Sequence, residues 1–236
     1  MTLSATQMPL RLNPQVLYQI ANFHFSEQEL AEVVSSFCQQ KEPRFLYLWG
    51  GASSGKTHLS LAIAEQEQAS QKKTLYLPLA ELVKTASPEM LHSLESLNLV
   101  CLDELEAVAG NPEWEEALFH CFNRLQDSGC QLLVASLNNP ATLKIQLADL
   151  RSRLATGLVY QLESLNDSEK QQVMIVQSRA RGLEMPPEVA QYLLRQHSRD
   201  LNELMHFLHA LDKASLAAQR RLTVPFVRQV LHYGKN

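Results

Sequence analysis

One stretch of the chain, residues 45–65, has the sequence FLYLWGGASSGKTHLSLAIAE. Its first five residues are apolar or aromatic, which predicts a short buried strand, and its last eight favour a helix. Between them lies a complete G-x-x-x-x-G-K-[ST] string, residues 50–57. Strand, glycine-rich loop and helix are the context in which this string binds phosphate. A glycine turn with a chance lysine is the alternative, and both flanks argue against it.

The loop supplies the groups that a polyphosphate needs. Its glycines let backbone N–H groups point at phosphate oxygens, and the helix that follows adds its positive end. Lys56 offers a charge to the terminal phosphates, and the Thr57 hydroxyl is a ligand for Mg²⁺. We therefore predict a nucleotide site made of Gly50, Gly51, Ala52, Ser53, Ser54, Gly55, Lys56, Thr57 and His58.

A second apolar run, Leu99–Leu102, ends in Asp103 and Glu104. After a complete phosphate loop, this pattern indicates a Walker B strand, in which the Asp holds Mg²⁺ and a following Glu orients an attacking water. An ordinary strand that happens to end in acidic residues is the alternative. We predict Thr57 and Asp103 as the Mg²⁺ ligands and Glu104 as a catalytic residue.

Composition sets outer limits on the function. The chain has 236 residues and a formal net charge of −4, which gives no general attraction to nucleic acid or to an anionic membrane. Its four cysteines form no C-x-x-C pair, which favours reduced thiols. No leader pattern and no apolar run near the roughly 18 residues of a membrane span are present, so we expect a cytoplasmic protein.

Predicted strands alternate with predicted helices over the first two thirds of the chain. This order predicts an α/β fold with a five-stranded parallel sheet covered by helices, followed by a small all-α part of four helices. A capping box of Ser26 and Glu29 is expected to start the first helix. We expect three segments: an N-terminal tail (1–22), a nucleotide-binding domain (23–165) and a helical domain (166–236).

Three polar residues outside these motifs are further candidates. Ser136 follows the fourth predicted strand, where a hydroxyl can bond a terminal phosphate or an attacking water, or can belong to an Asn-Pro turn. Arg153 lies near the end of a predicted helix, either as an arginine finger for a neighbouring subunit or as a complement to the helix end. Arg199 is expected to open a helix, where it either reaches a nucleotide or is a solvated surface residue.

The N-terminal tail contains a glutamine followed by spaced apolar residues. An extended peptide of this kind can place alternate side chains in the pockets of a partner, although a tail that merely contains leucines is the alternative. The candidate partner-binding residues are Gln7, Met8, Leu10 and Leu12.

Several stretches together resemble the AAA+ ATPases, and within them the DnaA branch with its Hda-type regulators. Phe119–Leu125 is similar to the Phe-Asn-x-Leu helix of that branch, and Leu133–Ser136 is similar to its sensor I strand. Leu150–Leu154 with Gly157 resembles the stretch that carries the arginine finger, which implies Arg153 for that role. Ala21–Phe23 resembles the entry segment beside the adenine, which implies Asn22 and Phe23 as nucleotide contacts.

The resemblance implies an AAA+ core with a helical lid that binds ADP or ATP with Mg²⁺. It also implies a regulator that docks on the DNA polymerase sliding clamp through residues 7–12 and promotes hydrolysis of ATP bound to the DnaA initiator, which prevents re-initiation. The chain ends after the lid, so we expect no sequence-specific DNA binding. A DnaC-like helicase loader is the alternative, and a homo-oligomer stays open.

Two departures from the family pattern indicate weak ATP hydrolysis by the protein itself. Leu137 stands just after the sensor I strand, where many relatives carry an acidic residue. The sensor II position is expected near the apolar Phe207, with Arg199 as the substitute candidate. Glu104, by contrast, would suit hydrolysis.

Overall fold

The computed structural model describes residues 18–233. Its strands are β1 (Phe45–Trp49), β2 (Thr74–Pro78), β3 (Leu99–Asp103), β4 (Gln131–Ser136) and β5 (Leu158–Gln161). Its α-helices are α1 (Gln28–Cys38), α2 (Lys56–Ala69), α3 (Leu79–Thr85), α4 (Pro112–Ser128), α5 (Ala148–Leu154), α6 (Asp167–Ala180), α7 (Pro187–Gln196), α8 (Leu201–Ala218) and α9 (Val224–Tyr233). Short 3₁₀ turns lie at Ile20–Asn22, Pro88–Leu91 and Leu105–Val108.

The five strands form one sheet in the order β2-β3-β4-β1-β5, and every neighbouring pair is parallel. All carboxyl ends of the strands therefore meet at one edge of the sheet. The phosphate loop after β1, Asp103 at the end of β3 and Ser136 at the end of β4 lie along this carboxyl edge. The residues that lead into β4 and β5 lie at the opposite, amino edge.

Helices cover both faces of the sheet, which explains why its central strands are almost wholly apolar. On one face, Tyr47, Val100 and Val134 pack in a core that includes residues of α3, α4 and α5. On the other face, Leu46 and Leu133 belong to a second core with residues of α1 and α2. Successive residues of a strand thus serve opposite cores, as the pleat requires.

The last four helices, α6–α9 (the lid), share a separate apolar core that includes Met174, Leu193, Leu204 and Val227. The α/β class with a parallel five-stranded sheet, followed by an all-α part of four helices, is confirmed. None of the helices within residues 18–233 is both long and apolar enough to cross a membrane.

Some local predictions are wrong. The capping box of Ser26 and Glu29 does not form, because α1 begins at Gln28 with Glu27 at its N-cap and no capping side chain. The Glu27 carboxylate instead accepts a hydrogen bond from the Tyr160 hydroxyl. Helix α3, which directly follows Pro78, was not predicted from the sequence. Helix α8 begins at Leu201 with Asp200 as its cap, so Arg199 does not open it.

Candidate nucleotide-binding site

The phosphate loop connects β1 to α2 at the carboxyl edge. Gly55, with φ +94°, takes the left-handed conformation at the N-cap of α2 that disfavours other residues. At Gly50, a Cβ would lie 2.2 Å from the carbonyl oxygen of Leu162, so only glycine fits beside the end of β5. These two glycines fix the path of the loop, and the helix α2 that follows has its N-terminus at the loop.

Lys56 lies inside the loop and is mostly buried. Its Nζ donates to the carbonyl oxygens of Gly50 at 2.8 Å and Gly51 at 2.7 Å, and to Ser54 Oγ at 3.2 Å. Burial lowers the pKa of Lys56, and the nearby Asp103 and Glu106 carboxylates oppose that shift. An ammonium enclosed by loop carbonyls is a cation within reach of phosphates bound on the loop, so these residues fit a nucleotide's polyphosphate.

Asp103, the last residue of β3, hydrogen-bonds a residue at the start of α2. Its Oδ2 accepts hydrogen bonds from Thr57 Oγ1 at 2.7 Å and from the Tyr76 hydroxyl at 2.6 Å, and its Oδ1 accepts from the Glu104 N–H at 2.8 Å. A hydroxyl and a carboxylate in direct contact are the oxygen donors that Mg²⁺ takes in such sites, so the pair fits this ion. Tyr76 is absent from the predicted site, because a tyrosine within an apolar strand carries no sequence signal of its partner.

Glu104 faces a different neighbour from the one that the Walker B pattern suggests. It adopts the left-handed conformation, with φ 58°, and its exposed carboxylate lies near the Ala80 backbone of α3 and near Lys84, both of which lower its pKa. Burial and the charges of Asp103 and Glu106 outweigh these two effects and raise its pKa. The structure therefore brings Glu104 to α3, and its role toward an attacking water stays a prediction.

Ser136 is buried and fully engaged at the end of β4. Its Oγ donates to Glu106 Oε2 at 2.8 Å and accepts from the Asn138 N–H at 3.2 Å. The Leu137 N–H donates to the same Glu106 oxygen at 2.9 Å. Glu106 was not among the predicted residues, although it stands only three residues after Asp103. Its carboxylate lies at the end of β4, where Leu137 takes the place of the acidic residue that many relatives carry.

A pocket lies beside the loop, between the α/β core and the lid. Asn22 and Phe23 line it from the segment before α1, together with Gly55 and His58, while Gln177, Leu201 and Met205 line it from the lid. Gln177 Nε2 donates to the Asn22 carbonyl oxygen at 3.3 Å, and its Oε1 accepts from Arg181 Nη1 at 3.0 Å. The predicted residues Asn22, Phe23 and His58 thus meet in one pocket next to the loop.

His58 is neutral in this pocket. Burial and, to a smaller extent, the Arg181 guanidinium lower its pKa to about 4, against the opposing effect of a hydrogen bond with the Gln19 backbone. Its ring packs edge-on against Tyr18 at 5.3 Å between centroids and lies 5.8 Å from the Phe23 ring.

The lid touches the phosphate loop through Ser53. Ser53 Oγ donates to Asp200 Oδ2 at 2.5 Å and accepts from Asn202 Nδ2 at 3.1 Å. Arg199 is not brought into the pocket: it is exposed, and its Nε lies 3.7 Å from Asp167 Oδ2 at the start of α6. Since Asp200 caps α8, Arg199 precedes the helix and pairs with α6. Within α8, the Asn202 side chain hydrogen-bonds the loop, and no residue near Phe207 does so among the described residues.

Arg153 lies at the amino edge of the sheet, on the helix α5 that leads into β5. Its Nη1 donates to Gln126 Oε1 near the end of α4 at 3.3 Å, and Gln126 is exposed. The structure does not bring Arg153 together with residues 50–57, because the sheet separates the two edges. The predicted peptide of Gln7, Met8, Leu10 and Leu12 lies outside the described residues.

Comparisons with known proteins agree with this architecture. Residues 21–161 match the family described as the bacterial DnaA ATPase domain, and residues 167–231 match the Hda lid domain. An uncharacterized protein of Haemophilus influenzae is 44% identical over 193 residues, which are 81% of this chain and 83% of that protein.

Solved structures of DnaA are also similar. Domain III of the Thermotoga maritima replication initiation protein DnaA has a TM-score of 0.74 at 21% identity, over 91% of this chain and 95% of that one. AMPPCP-bound DnaA from Aquifex aeolicus has a TM-score of 0.66 at 25% identity, over 84% of this chain and 65% of that one. The chain therefore belongs to the DnaA branch of the AAA+ proteins, and within it to the Hda type.

Proposed function

We propose that this protein is a cytoplasmic regulator of replication initiation that acts on the DnaA initiator in trans. It binds ADP or ATP with Mg²⁺ at its own carboxyl edge, docks on the DNA-loaded sliding clamp through residues 7–12, and presents Arg153 to ATP bound by DnaA. Hydrolysis of that ATP then prevents re-initiation. The proposal divides the chain into a tail (1–22), a nucleotide-binding domain (23–165) and a lid domain (166–236).

The position of Arg153 carries the proposal. An arginine at the amino edge has no route to a phosphate held at the carboxyl edge of the same sheet. Within residues 18–233, its guanidinium donates to the uncharged amide oxygen of the exposed Gln126, which a charged phosphate oxygen can replace. A guanidinium placed on the developing charge of a transferring phosphoryl group is worth about 10³- to 10⁵-fold in rate. This gain is available only to a nucleotide on another subunit.

The protein's own site supports binding more than turnover. Thr57, Asp103 and Lys56 would hold the nucleotide and Mg²⁺, which would neutralise phosphate charge there. The Ser136 hydroxyl donates to Glu106 and is therefore not available to donate to an attacking water or a phosphate, so we expect slow hydrolysis in cis.

The test is hydrolysis of DnaA-bound ATP in the presence of the DNA-loaded clamp and this protein. We expect Arg153→Ala to lower the stimulated rate by about 10³-fold or more while nucleotide binding by the variant is unchanged. Arg151→Ala, an exposed arginine on the same short helix, is the matched control and should retain most of the stimulation. Full stimulation by Arg153→Ala would overturn the trans role.

Clamp binding is tested separately with the double variant Gln7→Ala, Leu10→Ala. Binding to the isolated clamp should be lost in this variant and retained in Gln15→Ala, which changes the same tail outside the candidate peptide. Absence of clamp binding by the unaltered protein in every nucleotide state would contradict the proposal. Steady intrinsic hydrolysis together with affinity for a helicase would then favour the DnaC-like loader.

A further inference from the structure

The segment from the last turns of α8 to the end of α9 is basic. Residues 213–233 contain Lys213, Arg220, Arg221 and Arg228 and no Asp or Glu, so this segment has a formal charge of +4 in a chain whose total is −4. All four side chains are exposed, and we call these four residues the basic patch. The patch is a local exception to the acidic balance of the whole chain, which gives no general attraction to nucleic acid.

Two arginines of the basic patch are supported by the turn between α8 and α9 and by aromatic rings. The Arg220 N–H donates to the Ser215 carbonyl oxygen at 3.2 Å, and Ser215 Oγ donates to the Arg220 carbonyl oxygen at 2.6 Å. The Arg220 guanidinium carbon lies 5.3 Å from the centre of the Phe226 ring, and that of Arg228 lies 5.7 Å from the centre of the Tyr192 ring. A guanidinium that packs on an aromatic face retains its N–H donors for an anion.

The basic patch has no ion-pair partner in the part of the chain that the structure describes. Other exposed arginines do have one, as Arg199 has in Asp167. The acidic residue that precedes Lys213 in the chain, Asp212, lies near the Arg181 guanidinium of α6. Four exposed cations without acidic partners produce a positive potential at this end of the lid, which suits a polyanion.

We propose that the basic patch binds the phosphate backbone of duplex DNA, whatever its sequence. B-DNA carries about one negative charge per 1.7 Å of its axis, and cations that neutralise phosphates gain affinity by releasing the condensed counterions. Protein interfaces, in contrast, have an apolar centre. Within residues 213–231, Leu216 is the one large apolar side chain that is exposed, which favours DNA over a protein as the occupant. Contacts to phosphate alone carry no sequence information, so this binding is compatible with a lid that lacks sequence-specific recognition.

The role of this contact rests on the proposed function, whereas the contact itself does not. A protein docked on a DNA-loaded clamp is held beside that DNA, so binding of the duplex becomes intramolecular, with an effective concentration in the millimolar range for a short tether. Non-specific binding, with a Kd of about 10⁻⁴ to 10⁻⁶ M, is then sufficient to keep the basic patch on the duplex. The docked protein thereby gains a second point of attachment.

The test is the fluorescence anisotropy of a labelled DNA duplex titrated with the whole protein in the absence of clamp. We expect binding that weakens by about 100-fold when the salt concentration rises from about 0.05 M to about 0.2 M, since four phosphate contacts give a slope of about −3.6 in log K against log salt. A second duplex of the same length and unrelated sequence should bind equally well.

The double variant Arg220→Gln, Arg221→Gln removes half of the basic patch. We expect it to weaken binding by at least about tenfold at the lowest salt concentration and to reduce the slope by about 2. Because Arg220 also packs on Phe226, Arg221→Glu is a second variant, which reverses one exposed charge outside that contact and should weaken binding in the same way.

Lys41→Gln, Lys73→Gln is the matched control, since it removes two exposed cations from the α/β part of the chain and changes the net charge equally. Its affinity and its slope should stay close to those of the unaltered protein. Equal weakening in the control, or no binding of either duplex at the lowest salt concentration, would overturn the inference. Absence of DNA binding together with weaker clamp binding by the arginine variant would also overturn it, in favour of an acidic protein surface. Clamp binding through residues 7–12 is measured without DNA, so failure of the proposed function is recognised separately.

Discussion

The two edges of the parallel sheet differ in how their side chains are held. At the carboxyl edge, Lys56, Asp103 and Ser136 are almost fully buried and each has two or three hydrogen-bond partners. At the amino edge, Arg153 has one hydrogen bond of 3.3 Å to an exposed glutamine, and Arg151 is exposed. The side chains at the carboxyl edge are therefore held in position by contacts within the chain, whereas arginines at the amino edge are accessible to another protein.

This difference has a physical origin. A site that binds its ligand within the chain gains affinity when its groups are already in position, since less ordering free energy is lost on binding. A residue that enters another protein's site has to give up the contacts that it makes within its own chain. Strong contacts of that kind would therefore reduce the free energy gained in the other site. The weak contact of Arg153 is therefore consistent with a role in trans, and the multiple contacts of Asp103 with a role in cis.

The largest expected effect separates the two edges. Lys56→Ala removes the ammonium enclosed by the loop, and we expect it to weaken ADP and ATP binding by at least about 100-fold, because charge-assisted contacts to phosphate are the strong ones. Arg153→Ala, measured beside it by the same nucleotide displacement, should bind as the unaltered protein does. Equal losses in both variants would contradict a division of labour between the edges.

The second prediction concerns Glu115, which holds the start of α5, the helix that leads to Arg153 at the amino edge. Glu115 in α4 is buried, and its carboxylate accepts the N–H groups of Gly110, Gln146 and Leu147, the last directly before α5. Glu115→Gln turns one acceptor into a donor facing backbone N–H groups, and we expect a loss of about 2–3 kcal/mol in unfolding free energy. Urea denaturation measures it. Glu116→Gln, its exposed neighbour, should change stability by less than about 0.5 kcal/mol.

The sequence predicts the carboxyl edge well because its chemistry is local. The phosphate loop has a fixed spacing, and an acidic pair after an apolar run is recognised without knowledge of the fold. The parallel order of the strands then brings loop, Asp103 and Ser136 together. The family resemblance adds Asn22 and Phe23, which the structure places in the pocket beside His58.

The partners that complete the site come from distant parts of the chain and escape such patterns. Glu106 bonds Ser136 across 30 positions, and Tyr76 bonds Asp103 across 27. Arg199 shows the limit most clearly: the pattern indicates a helix that begins with this arginine, but Asp200 is the better cap and moves the start of α8 by two residues. With this start, the Asn202 side chain contacts the phosphate loop, and the Arg199 side chain lies against Asp167 of α6.

The smallest expected effect is a pH dependence at the carboxyl edge. The pKa of His58 is lowered to about 4 by burial and by Arg181, below its ordinary value of 6.5, so the unfolded chain binds this proton more readily than the folded one. Its contribution to stability is complete above pH 6.5 and falls as the pH drops toward 4, by about 2 kcal/mol between pH 7 and 5. His58→Gln should lose less stability over this interval in urea titrations, whereas His120→Gln, an exposed histidine on α4, should follow the unaltered protein. If His58→Gln kept the full acid sensitivity, the imidazole would not be the neutral, buried group that the pocket beside the phosphate loop requires.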